Sequence, residues 1–549
     1  MPERLIHLET FGCQMNELDS ELVSGALRSL GYRFTDDPDR AGVILYNTCS
    51  VREHAEQKVW SRLGELEARK RRDPALVVGV LGCLAERDGS ALIRRMPVVD
   101  ILCGPGELDK LPLLLANAVQ VRDGLLADAV EPERAAATSA RQVALQGSAS
   151  RRSATLAAAE DSLERLDLSR SVSPVDPSTQ GRRASAYVRI TRGCNKFCTY
   201  CVVPFTRGAE IHRPPGHIID ECRRLADAGV VEITLLGQTV NHYRFEHGSA
   251  VVVNGITQPQ KGRSYRGGHR RDPYRGVGVT TFADLLARIH DAVPSVQRLR
   301  FVTSYPRDFG DDVLEAMRDH PRICRYLHAP PQSGSDRILA AMNRGYTVSE
   351  YLEFVDRARH FLDRPDQSRP LMLAGDFIVG FPGETEEDFE ATVALVERVR
   401  FKNSFIFKYS PRPGTVAFDR LSDDVPEEVK RRRNHRLLDV QARISAQVGR
   451  EQIGRTFPVL IEGLSPLSQK RAARRALAGA VGLTVGGRAL DDAEPLDEPT
   501  VQLAGRTEGD LIVFIQVRPD HAPDLIGRIV PVRILSASAL ALYGDPVGL

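Results

Sequence analysis

The sequence predicts an α/β protein in three parts: an amino-terminal doubly wound parallel sheet, a central partial (β/α) barrel and a carboxy-terminal small β-barrel. Three observations carry this prediction. Strand-like apolar runs alternate with helical runs over residues 1–119. The same alternation returns, six units long, over residues 184–449. From residue 450 onward the chain turns to short alternating strands punctuated by glycine.

A chain of 549 residues is too long for one ordinary domain. With 42% apolar and 27% charged residues it has the profile of a soluble globular protein. No run approaches the roughly 18 apolar residues of a membrane span, and the start, Met-Pro-Glu-Arg-Leu-Ile-His-Leu, lacks the apolar core of a secretion signal. A membrane partner is therefore not expected. Nine cysteines without a disulfide-like framework suit a reducing cytoplasm, where thiols serve as ligands or nucleophiles. The net charge is only +2, so a nucleic-acid partner must be met by local basic patches.

In the first part, strands are expected over 5–10, 41–46 and 75–81, and helices over 16–30 and 51–72. The third strand is almost continuously apolar, as a parallel strand covered on both faces should be. A cysteine follows each strand: Cys13, Cys49 and Cys83. Each alone could be a small buried packing residue. Three at matching positions fall on one edge of the sheet, past the carboxyl ends of its strands, where such sheets bind ligands. Residues 120–183 are dominated by Ala, Ser and Arg, with at most a short helix over 156–168, and are expected to be a mostly solvated linker.

The central block should place strands at 187–191, 231–237, 298–304, 325–328, 376–379 and 404–409, with helices such as 282–292 and 386–399 between them. Immediately after its first strand comes Cys194-x3-Cys198-x2-Cys201, with no fourth cysteine in the following turn. Three thiolates can hold three irons of a cubane cluster and leave one iron open, whereas electron carriers usually use four. Zinc is the alternative, but it prefers four ligands, often in two pairs, and no second pair follows nearby.

Two inserts interrupt this plan. Residues 246–278 carry Arg263, Arg266, Arg270, Arg271 and Arg275 among Gly and Tyr. They form either a solvated loop or a flap that grips phosphates and stacks on bases. The second insert, 465–498, lies in the tail and is expected to be a loop. The tail itself suits either a nucleic-acid-binding barrel or a structural cap.

Longer segments carry a resemblance. Thr10-Phe-Gly-Cys-Gln-Met-Asn16, Tyr46-Asn-Thr-Cys49 and Gly82-Cys-Leu-Ala85 resemble the amino-terminal domain of the methylthiotransferases. Arg192-Gly-Cys-Asn-Lys-Phe-Cys-Thr-Tyr-Cys-Val-Val-Pro-Phe-Thr-Arg-Gly208 is similar to that family's radical S-adenosylmethionine (SAM) loop. The match continues in Leu236-Gly-Gln-Thr-Val-Asn241, Gln332-Ser-Gly-Ser-Asp336, Gly380-Phe-Pro-Gly-Glu-Thr385 and Tyr409-Ser-Pro-Arg-Pro-Gly-Thr415. Gly505-Arg-Thr-Glu-Gly-Asp-Leu-Ile-Val-Phe514 resembles the RNA-binding barrel called TRAM. The implied domains are 1–119, the methylthiotransferase amino-terminal domain; 120–183, a linker; 184–449, the radical SAM core; and 450–539, TRAM. Two departures stand out: His328-Ala-Pro-Pro-Gln332 replaces an expected His-Leu-Pro-Val-Gln, and an insert splits the tail barrel.

The resemblance is strongest to the branch of the family that methylthiolates an isopentenylated adenosine at position 37, beside the anticodon of tRNA. Sister branches act on threonylcarbamoyl-adenosine or on an aspartate of a ribosomal protein. It implies two 4Fe-4S clusters, one on Cys13, Cys49 and Cys83 and one on Cys194, Cys198 and Cys201, the latter binding SAM at its open iron. A 5′-deoxyadenosyl radical would remove the hydrogen at adenine carbon 2, a bond no side-chain acid or base can open. The other cluster would deliver a sulfur methylated by a second SAM. Tyr200 is implied to lie beside the SAM adenine. Gln238, Ser304 and Gln332 are candidate SAM contacts at the barrel mouth, or else caps of the strand ends. The implied partners are the anticodon stem-loop of tRNA and an electron donor such as a flavodoxin or ferredoxin, with the enzyme acting as a cytoplasmic monomer. Cys103, Cys222 and Cys324 have no partner at a meaningful spacing and are expected to be packing residues.

Overall fold

The structure, a computed structural model, describes residues 4–50, 53–128, 141–146, 161–170, 184–262, 270–272, 276, 278–471, 484–485, 488–489 and 500–548. Its amino-terminal sheet has five parallel strands in the order β1 (Ile6–Phe11), β2 (Val43–Thr48), β3 (Val77–Gly82), β4 (Ile101–Cys103) and β5 (Gln142–Ala144). Phe34 bridges to Ile6 on the outer side of β1. The chain therefore reverses its direction of winding between β1 and β2, and that switch point is where open α/β sheets form ligand crevices. Every residue of β2 and β3 is buried because helices cover both faces. α1 (Gln14–Ser29) packs Leu18 and Leu22 on one face, and α2 (Glu53–Arg72) packs Val59 and Leu63 on the other. The third helix, α3 (Cys83–Asp88), starts at the cysteine that follows β3.

Segment 120–183 is not wholly the solvated linker that its composition suggests. Its residues 142–144 supply the edge strand β5, and α4 (Ser162–Leu168) is wedged between the first two parts. Glu164, Asp167 and Arg170 are all buried there. Arg213 donates from Nε to Glu164 Oε2 at 2.9 Å, Arg189 donates to Asp167 at 2.8 Å, and Arg170 donates to Glu221 at 2.8 Å. Local polarity misleads here because the counter-charges lie in other elements.

The central part contains two runs of three parallel strands: β6 (Ser185–Arg189), β7 (Glu232–Leu236) and β8 (Arg298–Val302), then β9 (Tyr326–His328), β10 (Met372–Val379) and β11 (Asn403–Lys408). The Ser304 amide donates to the His328 carbonyl at 3.0 Å and links the two runs at their carboxyl ends. α5 (Phe282–Ala292) and α6 (Glu386–Val399) both begin with capping boxes, Thr281 with Asp284 and Thr385 with Asp388.

Part of the arginine-rich insert is described. Arg270 pairs with Glu353 and Arg271 with Glu315, both on the surface, while Arg263, Arg266 and Arg275 lie outside the described residues. The Asn195 side chain donates to the Gly262 carbonyl at 3.0 Å, so the insert leans on the cysteine loop. In the second insert, Thr484–Val485 pairs with Arg488–Ala489 as a short antiparallel ladder rather than a plain loop.

The tail forms a closed five-stranded barrel of β12 (Thr456–Leu464), β13 (Val501–Thr507), β14 (Ile512–Val517), β15 (Ile529–Ala537) and β16 (Leu542–Pro546), in the order β12-β13-β14-β16-β15. It docks at the amino-terminal ends of β7 and β8: Arg298 donates to the Arg506 carbonyl at 2.7 Å and Arg300 to the Glu508 carbonyl at 3.1 Å. Among the described residues no helix is long and apolar enough to cross a membrane.

Candidate active site

Each cysteine triad is positioned by its own local geometry. Cys13 caps α1, where its carbonyl accepts from the Asn16 and Glu17 amides at 2.9 and 3.1 Å. Its thiol faces Asn16 Oδ1 at 3.3 Å. Asn16 and Asn47 then tie the first turn of α1 to the end of β2: Asn16 Nδ2 donates to Asn47 Oδ1 at 3.0 Å, and Asn47 Nδ2 to the Asn16 carbonyl at 2.9 Å. Gly82 completes the edge at φ 85°; a Cβ there would lie 2.4 Å from Asn47 Oδ1. A hydrogen bond from Cys49 holds the Cys13 thiol down at about 6 against its burial, with Arg207 adding to the effect. Burial pushes Cys83 the other way.

The second triad lies on an ear between β6 and β7. Thr191–Arg192 pairs antiparallel with Ile211–His212 and closes the loop that carries it. Gly193 sits at φ 70°, where a Cβ would meet the Ala209 carbonyl oxygen at 2.0 Å. The Cys194 amide donates to the Gly208 carbonyl at 3.1 Å and the Cys201 amide to the Cys198 carbonyl at 3.0 Å. Burial raises the Cys194 thiol and pushes Cys201 up to about 12. Buried thiols of this kind become ligands when a positive metal centre displaces their protons.

The structure brings the two triads together. Cys13 and Cys49 share the wall of one cavity of about 310 Å³ with Cys194, Cys198 and Cys201. Cys83 stands behind this wall, close enough to Cys13 and Cys201 to act on both electrostatically. Tyr200, Gln238, Ser304 and Gln332 all line the same cavity. Ser304 Oγ is buried without a hydrogen-bond partner, and Gln332 adopts φ 73° at the mouth between β9 and β10. His328 accompanies them, with Nδ1 3.1 Å from Thr303 Oγ1 and Nε2 3.1 Å from Asp376 Oδ1. A second cavity, of about 500 Å³, adjoins the first through Tyr200, Cys201, Gln332, Asp376 and Phe407. It reaches Ser50 and Gln57 of the amino-terminal part as well as Lys408 and Arg412. Cys103, Cys222 and Cys324 are buried apart from both cavities.

Two arginines at this site escaped the sequence analysis. Arg207 Nη2 donates to Asp19 Oδ2 at 2.8 Å, and the guanidinium lies near enough to the Cys83 thiol for its charge to work against the effect of burial there. It thus reaches from the loop of one triad to the cysteines of the other. Arg344 Nη1 donates to Cys198 Sγ at 3.5 Å. Arg207 lies inside a quoted motif, which was a usable signal. Arg344 lies 146 residues from Cys198, and no local pattern connects them.

Comparison with known proteins agrees with this architecture. The pattern of the Radical SAM superfamily matches residues 188–396, and that of the Uncharacterized protein family UPF0004 matches residues 5–104. The chain is 41% identical over 547 residues to the tRNA-2-methylthio-N(6)-dimethylallyladenosine synthase of Rhodopirellula baltica, covering 97% of each. It is 38% identical over 538 residues to the synthase of the same name from Aeromonas hydrophila, covering 95% of this chain and 98% of that one. For the Yersinia enterocolitica synthase the values are 36% over 540 residues, 98% and 91%. Identity at this level over nearly the whole length, with both triads inside the matched regions, makes the chain an enzyme of the radical SAM methylthiotransferase family.

Proposed function

We propose that this enzyme adds a 2-methylthio group to N6-dimethylallyladenosine at position 37 of tRNA. The observation that carries the proposal is the single cavity lined by cysteines of both triads. A lone triad would suit any radical SAM enzyme; two on one cavity suit a reaction that needs a radical and a sulfur donor at the same carbon.

Three thiols with no fourth cysteine in the loop are the right donor set for a cubane cluster with one open iron. Cys194, Cys198 and Cys201 would hold one such cluster, and Cys13, Cys49 and Cys83 the other. When bound, the first with SAM supplies one-electron chemistry strong enough for an aromatic C–H bond, and the second supplies sulfur, at a cost of two SAM per product.

The chain's own residues do the remaining work. The buried walls keep water from reactive groups. Tyr200 would stack beside the SAM adenine. Ser304 Oγ, buried and unpartnered, would hydrogen-bond SAM, with Gln238 and Gln332 on either side. The adjoining cavity would receive the substrate base, splayed from the anticodon loop as single-stranded bases can be. Its walls combine apolar Ile378, Ile406 and Phe407 with the basic Lys408 and Arg412 at the side facing the amino-terminal part. The tail barrel would hold the tRNA backbone, and a small redox protein such as a flavodoxin or ferredoxin would supply electrons to a monomeric, cytoplasmic enzyme.

The test is the tRNA of cells from which the gene has been removed. Loss of 2-methylthio-N6-dimethylallyladenosine, regained on complementation, supports the proposal. Unchanged content would instead point to a ribosomal-protein or threonylcarbamoyl-adenosine substrate.

A further inference from the structure

Arg344 is a buried cation without a carboxylate. It is only 6% exposed. Nη2 donates to the Pro330 carbonyl at 2.8 Å, Nε to the Tyr346 hydroxyl at 3.0 Å and Nη1 to Cys198 Sγ at 3.5 Å. Its guanidinium carbon lies 4.7 Å from the centre of the Tyr305 ring and 5.2 Å from that of Tyr346. Among the described residues no carboxylate pairs with it. Arg189, Arg213 and Arg433, also deeply buried, are compensated by Asp167 and Asp19, by Glu164 and Glu221, and by Glu384. Among the same residues Arg325 also pairs with no carboxylate, but it donates only to the Met317 and Arg318 carbonyls and contacts no cysteine of either triad.

Burying an uncompensated charge is strongly unfavourable, and Arg344, unlike Arg325, places its guanidinium against a group that can become an anion. Aromatic faces and two neutral oxygens solvate the guanidinium, but they do not neutralise it. The one group in contact that becomes anionic in use is the Cys198 sulfur. We propose that Arg344 is a positioning residue for the cluster held by Cys194, Cys198 and Cys201, its fixed positive charge favouring the reduced state of that cluster. This rests on the reading of that triad given above. Adding one electron from an external low-potential donor makes the site one charge more negative. A neighbouring cation that hydrogen-bonds a ligand sulfur stabilises that product more than the oxidised form and raises the potential.

Arg344 also lines the cavity, where the other available anion is the carboxylate of SAM. The contact with Cys198 favours the cluster, and an experiment separates the two. The full-length chain carrying Cys13→Ala, Cys49→Ala and Cys83→Ala is loaded with iron and sulfide, so that a single cluster remains. Its midpoint potential is measured without SAM by electron paramagnetic resonance, in Arg344, Arg344→Lys and Arg344→Gln proteins. The affinity for SAM is then read from the perturbation of the same signal. The proposal expects Arg344→Gln to shift the potential to more negative values and Arg344→Lys to stay near the parent.

An unchanged SAM-free potential in Arg344→Gln overturns it, and a weakened SAM affinity in that variant would then assign the arginine to the carboxylate. If Arg344→Gln retains no iron, Arg344→His supplies the comparison. Its potential must fall more steeply with pH than the parent's as the imidazole loses its proton, and equal slopes overturn the proposal. A parent protein that holds no cluster removes the reading of the triad itself, which is a different result from an unmoved potential.

Discussion

Arg207 and Asp19 form a buried ion pair of 2.8 Å that joins the loop of the second cysteine triad to the first helix of the chain. Asp19 also accepts from Arg189 at 3.1 Å, so one carboxylate serves two guanidinium groups from the central part. Removing one partner of a buried pair costs about 3–5 kcal/mol because the other charge is left uncompensated. Asp19→Ala is therefore expected to lower the thermal midpoint markedly and to speed proteolysis between the first two parts. A midpoint equal to that of the parent would show that these parts dock by other means.

The two triads should fail differently. Cys198→Ala is expected to abolish formation of 5′-deoxyadenosine from SAM under anaerobic reducing conditions. Cys49→Ala should leave that cleavage in place and abolish methylthiolation. Loss of cleavage in Cys49→Ala would contradict independent roles for the two sites. A chromatographic assay for 5′-deoxyadenosine makes the distinction.

Glu164 makes an acid-sensitive clamp. Burial alone would raise its carboxyl, but Arg213 and His217 outweigh burial and hold it at about 2, below the ordinary 4.5. A depressed carboxyl contributes stability that is complete above its ordinary value and lost as pH falls toward the folded one. The stability gap between the parent and Glu164→Gln should therefore be widest above pH 4.5 and narrow between that pH and about 2. Thermal midpoints measured across this range check the sign. A gap that widens on acidification would contradict it.

Glu232 anchors the tail barrel from the core side. It accepts from Arg300 at 3.1 Å and from Arg506 of the barrel at 3.3 Å, and Arg298 lies 3.8 Å away. Although burial works in the opposite direction, these three cations keep its carboxyl below the usual range. Glu232→Gln should weaken the docking, seen as faster hydrogen exchange in β13 and reduced tRNA affinity, with SAM cleavage less affected. Unaltered exchange in β13 would mean that the backbone contacts of Arg298 and Arg300 hold the barrel without this charge.

Much of this architecture was legible in the sequence. Periodicity located β2 and β3, because parallel strands buried on both faces must be apolar, and the alternation of strand-like and helical runs located the six central strands. The spacing of Cys13, Cys49 and Cys83 is also local information: each follows a strand, and the sheet aligns the strand ends. What stayed hidden depends on distant partners. β5 has only three residues, in an Ala- and Ser-rich stretch, and pairs with a strand about 40 positions earlier. α4 reads as solvated because it carries Glu164 and Asp167 and is followed by Arg170, yet Arg213, Arg189 and Glu221 pair with all three in a buried setting. Arg344 belongs to the site only through the fold.

The most direct test of the central claim is mass analysis of nucleosides after an anaerobic reaction of the reconstituted enzyme with tRNA bearing N6-dimethylallyladenosine, SAM and a low-potential reductant. The account predicts 2-methylthio-N6-dimethylallyladenosine from the parent protein, and 5′-deoxyadenosine without that nucleoside from Cys49→Ala. A parent enzyme that cleaves SAM but leaves the tRNA unmodified would contradict it.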